Sequence, residues 1–227
     1  MELDQRLAAL ADMVPKDARL ADIGTDHAYL PSWLVEQGRI DGAIASDVLP
    51  GPCQAAEKTV AAAGLSDKIS VRCGDGLATI RPGEINTIVI AGMGGTTMID
   101  ILERGADVLV QTEQLLLQPM GGVATVRRWL YEHGWFLDAE TIAVERGRWY
   151  EILSARRGEK TCPNEALLWL GPVLTEIKHP LLAAHADQVV ERLETTLAAM
   201  QNGKHTEEKQ RRYRQLLDEI AEVRKSW

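Results

Sequence analysis

The sequence predicts an α/β fold, a doubly wound seven-stranded sheet followed by a small C-terminal α-helical coiled-coil hairpin. Three observations predict it. Leu20 to Ile23, Ala43 to Asp47 and Ile85 to Ala91 are apolar runs that stop at an acidic or glycine turn, then reopen as helical patterns. Ala139 to Val144 and Trp149 to Ser154 are strand-like and joined only through Glu145-Arg146-Gly147-Arg148, which requires an antiparallel hairpin at a sheet edge. From Cys162 onward no strand-like run occurs. There, Leu182, Ala186, Val189, Leu193, Thr196 and Met200, then Tyr213, Leu216, Ile220, Val223 and Trp227, recur at spacings of three and four. The composition changes near Gly158, so the expected domains are residues 1–158 and 159–227.

In chain order, Leu3, Leu7, Leu10 and Val14 lie on one helix face that Pro15 closes, and this helix is expected beside the first strand. The first strand is followed by a helix from about Pro31 to Gln37, ended by Gly38. The second strand leads through Pro50-Gly51-Pro52 into an alanine-rich helix closed by Gly64. Lys68 to Cys73 alternates as a third strand and ends in Gly74-Asp75-Gly76. Ile85 to Ala91 is nearly all apolar, as a central strand buried on both faces should be, and Thr96 to Arg104 is its helix. Leu115 to Leu117 is the fifth strand and Val123 to His133 the last helix of the domain. The helices of the tail are joined by the polar Gln201-Asn202-Gly203-Lys204. Five βα units followed by a β-hairpin describe the Rossmann-like sheet of class I methyltransferases, whereas a dinucleotide dehydrogenase would add a sixth parallel strand.

Composition limits the function classes. A chain of 227 residues with 45% hydrophobic and 26% charged residues can bury one substantial core and a smaller appendage. No apolar run approaches the roughly 20 residues needed to span a bilayer, and the acidic, amphipathic start is not a signal peptide. Cys53, Cys73 and Cys162 are widely spaced, with neither zinc-type spacing nor a demand for an oxidising compartment. The protein is therefore expected to be cytoplasmic, without metal and without a membrane partner. Net charge of −8 argues against bulk attraction to nucleic acid. Residues 204–227 carry seven Lys/Arg against five acids, however, so a polyanion has a local basic surface to follow.

The strand-tip turns carry the chemistry. Asp22-Ile23-Gly24-Thr25-Asp26-His27-Ala28 has one glycine where dinucleotide binding wants G-x-G-x-x-G. Asp22 and Asp26 would repel a pyrophosphate, while they suit a zwitterionic or cationic ligand such as S-adenosylmethionine. Asp47, at the second strand tip, is placed for ribose hydroxyls, and Asp75 beside Gly76 for an adenine amino group. Gly92-Met93-Gly94-Gly95 lets backbone approach the methyl-donating end. The competing reading of each strand-tip acid is a turn or cap residue, and Cys53 is a small packed residue before it is a nucleophile.

These segments also resemble a family. Ala21 to Pro31 (ADIGTDHAYLP), Ser46-Asp47-Val48 with Gly51-Pro52, Gly74 to Leu77, Ala91 to Gly95 and Leu117-Gln118-Pro119 are similar to the TrmK family of bacterial tRNA (adenine(22)-N1)-methyltransferases. Glu140 and Trp149-Tyr150-Glu151-Ile152 are similar to the family's hairpin region, and Met120 departs from the Asn that often follows Q-P there. The resemblance implies methyl transfer from S-adenosylmethionine to N1 of an adenine in tRNA. N1 already has an in-plane lone pair and its product is cationic, so catalysis reduces to positioning and negative electrostatics. Asp26 is the candidate for stabilising that cation, and His27 for orienting the base or taking up a proton. Gly95, Gln118 and Pro119 occupy the acceptor-side strand tips.

A phosphate track is expected from Arg127, Arg128, Arg146, Arg148, Arg156, Arg157 and Lys160 around the hairpin and from Arg211, Arg212 and Arg214 on the tail. Taken singly, each is equally an ordinary solvated charge. Two other functions compete: a class I methyltransferase for another RNA, a small molecule or a protein, and a non-catalytic nucleotide-binding module with a coiled-coil docking arm. The expected oligomeric state is a monomer.

Overall fold

The computed structural model describes residues 2–200 and 207–227. Its strands are β1 (Leu20–Ile23), β2 (Ala43–Asp47), β3 (Ile69–Cys73), β4 (Thr87–Met93), β5 (Gln114–Pro119), β6 (Trp135–Glu145) and β7 (Arg148–Arg157). They form one sheet in the order β3-β2-β1-β4-β5-β7-β6. The β1–β2, β2–β3, β1–β4 and β4–β5 pairs are parallel, and β7 runs antiparallel to both β5 and β6. The strand order reverses between β1 and β4, which opens a crevice at the carboxyl ends of the central strands. Ile88, Val89 and Ile90 of β4 and Leu115, Leu116 and Leu117 of β5 are fully buried, as strands covered on both faces must be.

Among the described residues six α-helices accompany the sheet: α1 (Gln5–Met13), α2 (Tyr29–Glu36), α3 (Pro50–Ala62), α4 (Gly95–Arg104), α5 (Ala106–Leu109) and α6 (Val123–Glu132). α1 is capped by Asp4, whose carboxylate accepts from the Leu7 amide at 2.7 Å. It packs chiefly on β6, β7 and α2 rather than beside the first strand as expected. Its apolar residues Leu10, Ala11 and Val14 join Val89, Leu116 and Ile152 in one core. The hairpin tip is a two-residue loop, with Arg146 at φ 50° and Gly147 at φ 77° between the paired Glu145 and Arg148. Two successive positive φ values are the signature of a type I′ turn, whose twist matches that of the strands. Cys53, at the start of α3, and Cys73, at the end of β3, are joined as a disulfide with Cα atoms 5.8 Å apart. Their spacing of 20 residues carries no local signal of this pairing.

The chain divides into two compact units, Met1–Lys160 and Thr161–Trp227. The second holds α7 (Glu165–Leu170), α8 (Pro172–Glu176), α9 (Leu182–Met200) and α10 (Glu207–Arg224). Its core is not a two-helix seam. Ala166 and Leu170 of α7 are buried with Ala186, Val189 and Leu193 of α9 and Leu216 and Ile220 of α10. Six residues are too few for α7 to show a periodicity, so the pattern of the longer helices stood alone. The joining segment Gln201-Asn202-Gly203-Lys204 lies outside the described residues.

Candidate active site

The tips of β1, β2 and β4 surround a cavity of about 430 Å³, within the size range of small-molecule sites. Asp22, Gly24, Thr25, Asp26, His27, Tyr29, Asp47, Gly92 and Met93 line it, together with Arg6 from α1. Local backbone explains how so many groups converge. The Gly24 and Thr25 amides donate to the Ser46 carbonyl at 2.8 and 2.9 Å, tying the β1 turn to β2. Gly24 has φ 75°, a conformation that favours glycine, and a Cβ there would meet only the flexible end of Met93, 2.0 Å from its Cε. Asp26 and Ala28 also take left-handed conformations, at φ 54° and 55°, which costs non-glycine residues energy. The strain turns the Asp26 amide toward Asp47, whose carboxylate accepts from it at 3.2 Å.

Asp22 is buried, and the Thr25 hydroxyl donates to it at 2.6 Å. Burial pushes its pKa up to about 6 against the opposing pull of the Thr25 hydrogen bond and the Arg6 charge, with the Asp47 charge adding to the rise. Asp26 and His27 stand at the mouth, with His27 Nε2 3.8 Å from an Asp26 carboxylate oxygen and their side chains 45% and 71% exposed respectively for His27 and Asp26. The His27 ring stacks on that of Tyr29, with centroids 5.1 Å apart and planes within 8°. On the β4 side a register irregularity between Ala91 and Met93 places Gly92 at φ 76°. The Gly92 amide donates to Gln118 Oε1 at 3.1 Å, and Arg6 Nη1 donates to the same oxygen at 3.3 Å.

Several expected residues do not meet the cavity. Asp75 and Gly76 lie outside its lining. The Asp75 carboxylate is ion-paired with Arg104, and a Cβ on Gly76 would press on Ile101 at 3.1 Å. Gly94 is the N-cap of α4, one residue beyond the lining. Four RNA-contact expectations are corrected. Gly95 is buried, with its amide on the Gly121 carbonyl at 2.9 Å, and a Cβ would lie 2.8 Å from that carbonyl. Its glycine is needed for packing at the start of α4. Gln118 and Pro119 are buried, and the Gln118 amide is occupied by Arg6 and Gly92.

Arg127 is the largest correction. It is fully buried, with Nε 2.8 Å from Glu140 and Nη2 2.7 Å from Glu151. Burial disfavours its charge, but attraction to Glu140 and Glu151 outweighs this and raises its pKa above the usual arginine value. It faces the sheet along with Val126, Trp129 and Leu130, and cannot reach a phosphate. Arg146 and Arg148 are exposed at the hairpin tip, and Arg211 and Arg212 are exposed on α10, where Arg212 lies 3.3 Å from Glu165. Sequence reasoning missed Arg6, Thr25 and Tyr29 as lining residues. Only the polar edge of an otherwise apolar helix face pointed to Arg6. Among the described residues no group of three or more His, Cys, Asp or Glu is arranged to hold a metal ion, and no helix is long and apolar enough to cross a membrane.

Comparison with known proteins identifies the family. The family model described as tRNA (adenine(22)-N(1))-methyltransferase, TrmK, matches residues 20–225. A tRNA (adenine(22)-N(1))-methyltransferase of Bacillus subtilis is 35% identical over 225 residues, covering 97% of this chain and 94% of its own. The crystal structure of the B. subtilis m1A22 tRNA methyltransferase TrmK superposes with a TM-score of 0.86 at 35% identity, covering 99% of this chain and 98% of that one. A Streptococcus pneumoniae protein, a candidate tRNA (m1A22) methyltransferase in complex with S-adenosyl-L-methionine, is 37% identical with a TM-score of 0.87, covering 98% of this chain and 99% of that one. With a strand order, a glycine-turn cavity and near full-length matches that agree, the chain belongs to the TrmK family of tRNA (adenine(22)-N(1))-methyltransferases.

Proposed function

We propose that this chain methylates N1 of adenine 22 in tRNA, with S-adenosylmethionine as the methyl donor. The observation that carries the reading is the convergence of three carboxylates, Asp22, Asp26 and Asp47, with the glycine backbone of Gly24 and Gly92 in one cavity. That donor set fits a cationic, zwitterionic nucleoside and repels a pyrophosphate. When bound, the cofactor supplies an electrophilic methyl group on a sulfonium centre.

Asp47 accepts from the ribose hydroxyls, while Asp22 and Gly24 hold the amino-acid end. Glycine at 92 lets the backbone come close to the reacting centre. Asp26, exposed at the mouth, supplies negative charge where the adenine ring becomes cationic, and His27 orients the base. Asp75 serves adenine only from outside the present lining, after giving up Arg104. Arg146, Arg148, Arg211 and Arg212 provide the contacts to phosphates. We read the protein as a cytoplasmic monomer that needs neither metal nor membrane, a state that light scattering on the purified chain tests.

The deciding experiment incubates labelled S-adenosylmethionine with unmodified tRNA transcripts and identifies the labelled nucleoside. Label in 1-methyladenosine that disappears when adenine 22 is replaced is the expected result. Cofactor binding with label in no tRNA would move the substrate to another RNA, a small molecule or a protein. Absence of cofactor binding would leave the docking-module reading.

A further inference from the structure

Arg6 sits in the first turn of α1, where the helix macrodipole is positive and a cation is disfavoured. A residue placed against its local preference calls for a compensating role. Among the described residues it is the one lysine or arginine lining a cavity that also holds three carboxylates. Its position is fixed from the β5 and β7 side. The buried Gln118 oxygen accepts from both Arg6 Nη1 and the Gly92 amide, which pins the guanidinium beside the β4 irregularity. The guanidinium also lies over the Tyr150 ring, 5.8 Å from its centroid. Asp4 is the carboxylate paired with it, at 4.0 Å, too far for a hydrogen bond and already engaged as the α1 cap.

S-adenosylmethionine carries two cationic groups, ammonium and sulfonium, and a single anion, its α-carboxylate. Three acids match the cations and repel the carboxylate. The one guanidinium on the wall matches the carboxylate, and its planar fork suits that group. We propose that Arg6 clamps the α-carboxylate of the cofactor, an inference that rests on the cofactor reading above. α1 then contributes directly to the site, not only to the packing of the hairpin.

The test measures binding by calorimetry on the full chain with two ligands. S-adenosylhomocysteine carries the carboxylate, and S-adenosyl-3-thiopropylamine keeps the thioether and ammonium but lacks it. The wild-type chain is expected to prefer the first by about 10- to 100-fold, as a charge-assisted pair would give. Arg6→Gln should reduce that preference to within about threefold and leave affinity for the decarboxylated ligand nearly unchanged, and Arg6→Lys should keep part of it. Equal weakening of both ligands in Arg6→Gln would make Arg6 a brace for Gln118 and overturn the proposal. An unchanged preference accompanied by weaker tRNA binding would assign Arg6 to a phosphate and overturn it too. If the wild-type chain binds neither ligand, the cofactor reading itself fails, an outcome distinct from both.

Discussion

Two clusters of acids and arginine in the first unit show opposite uses of the same chemistry. Around Arg127, two carboxylates saturate one guanidinium in the dry space between α6 and the β6–β7 hairpin. Around Asp22, three carboxylates face one guanidinium across an open cavity and leave charge for a ligand to match. The first cluster is complete without a partner. The second is arranged at a cost to the folded chain, visible in the raised Asp22 pKa and in the left-handed Asp26 and Ala28. Charge satisfied by protein builds the fold, and charge left over marks the candidate site.

The sharpest way to break this contrast is to remove one member from each cluster. Arg127→Ala strands two buried carboxylates, and we expect a loss of about 3–5 kcal/mol in denaturant unfolding, with activity falling only as the folded fraction falls. Retained stability would mean the triad is not a structural pair. Asp22→Asn should do the reverse: it keeps an acceptor for Thr25, leaves stability equal or higher, and weakens S-adenosylhomocysteine binding by about 100-fold in calorimetry.

The pH dependence follows from Asp22 and has a definite sign. Its folded pKa of about 6 exceeds the ordinary 3.8, so the ligand-free fold retains a proton that the unfolded chain has released. The stability from this group is present below pH 3.8 and is lost as pH rises to about 6, an amount of about 3 kcal/mol. Melting curves should show Asp22→Asn gaining on the wild type across that window. Cofactor affinity should run oppositely, rising toward pH 7 in the wild type and staying flat in the variant.

At the mouth, Asp26→Asn and His27→Ala should lower single-turnover methyl transfer by about 10-fold or more at saturating cofactor, with cofactor affinity unchanged in His27→Ala. Full turnover in both folded variants would remove them from the chemistry. The smallest effect belongs to the hairpin tip. Arg146→Ala and Arg148→Ala should each raise the KM for tRNA by about twofold to fivefold and flatten its salt dependence, leaving kcat unchanged.

Legibility in the sequence followed the same division. The sheet could be read because β4 and β5 centre on the apolar runs Ile88 to Ala91 and Leu115 to Leu117, and because a four-residue link admits only a hairpin. Asp22, Gly24, Asp47 and Gly92 could be read because strand tips fall where apolar runs stop. Arg127 could not, since its burial depends on Glu140 and Glu151, thirteen and twenty-four residues away in sequence. Arg6 and Gln118 meet across a separation of 112 residues, and no local spacing encodes that encounter. Gly95 was read as a ligand contact because a glycine serving packing and one serving a ligand look alike in a sequence. α7 was missed because it is shorter than two turns.

The seat of α1 also bears on the order in which the site can come into being during synthesis. Its dock is the β6–β7 hairpin, where the Gln5 amide donates to Glu145 across 140 residues and Arg6 meets Tyr150. A nascent chain that has emerged only through β5 already owns the glycine turn and all three cavity carboxylates. It can offer α1 only α2 and the central strands, and lacks the hairpin that forms the larger part of that helix's seat. The seat of α1, and with it the contact of Arg6 on Tyr150, is complete only when β7 is present.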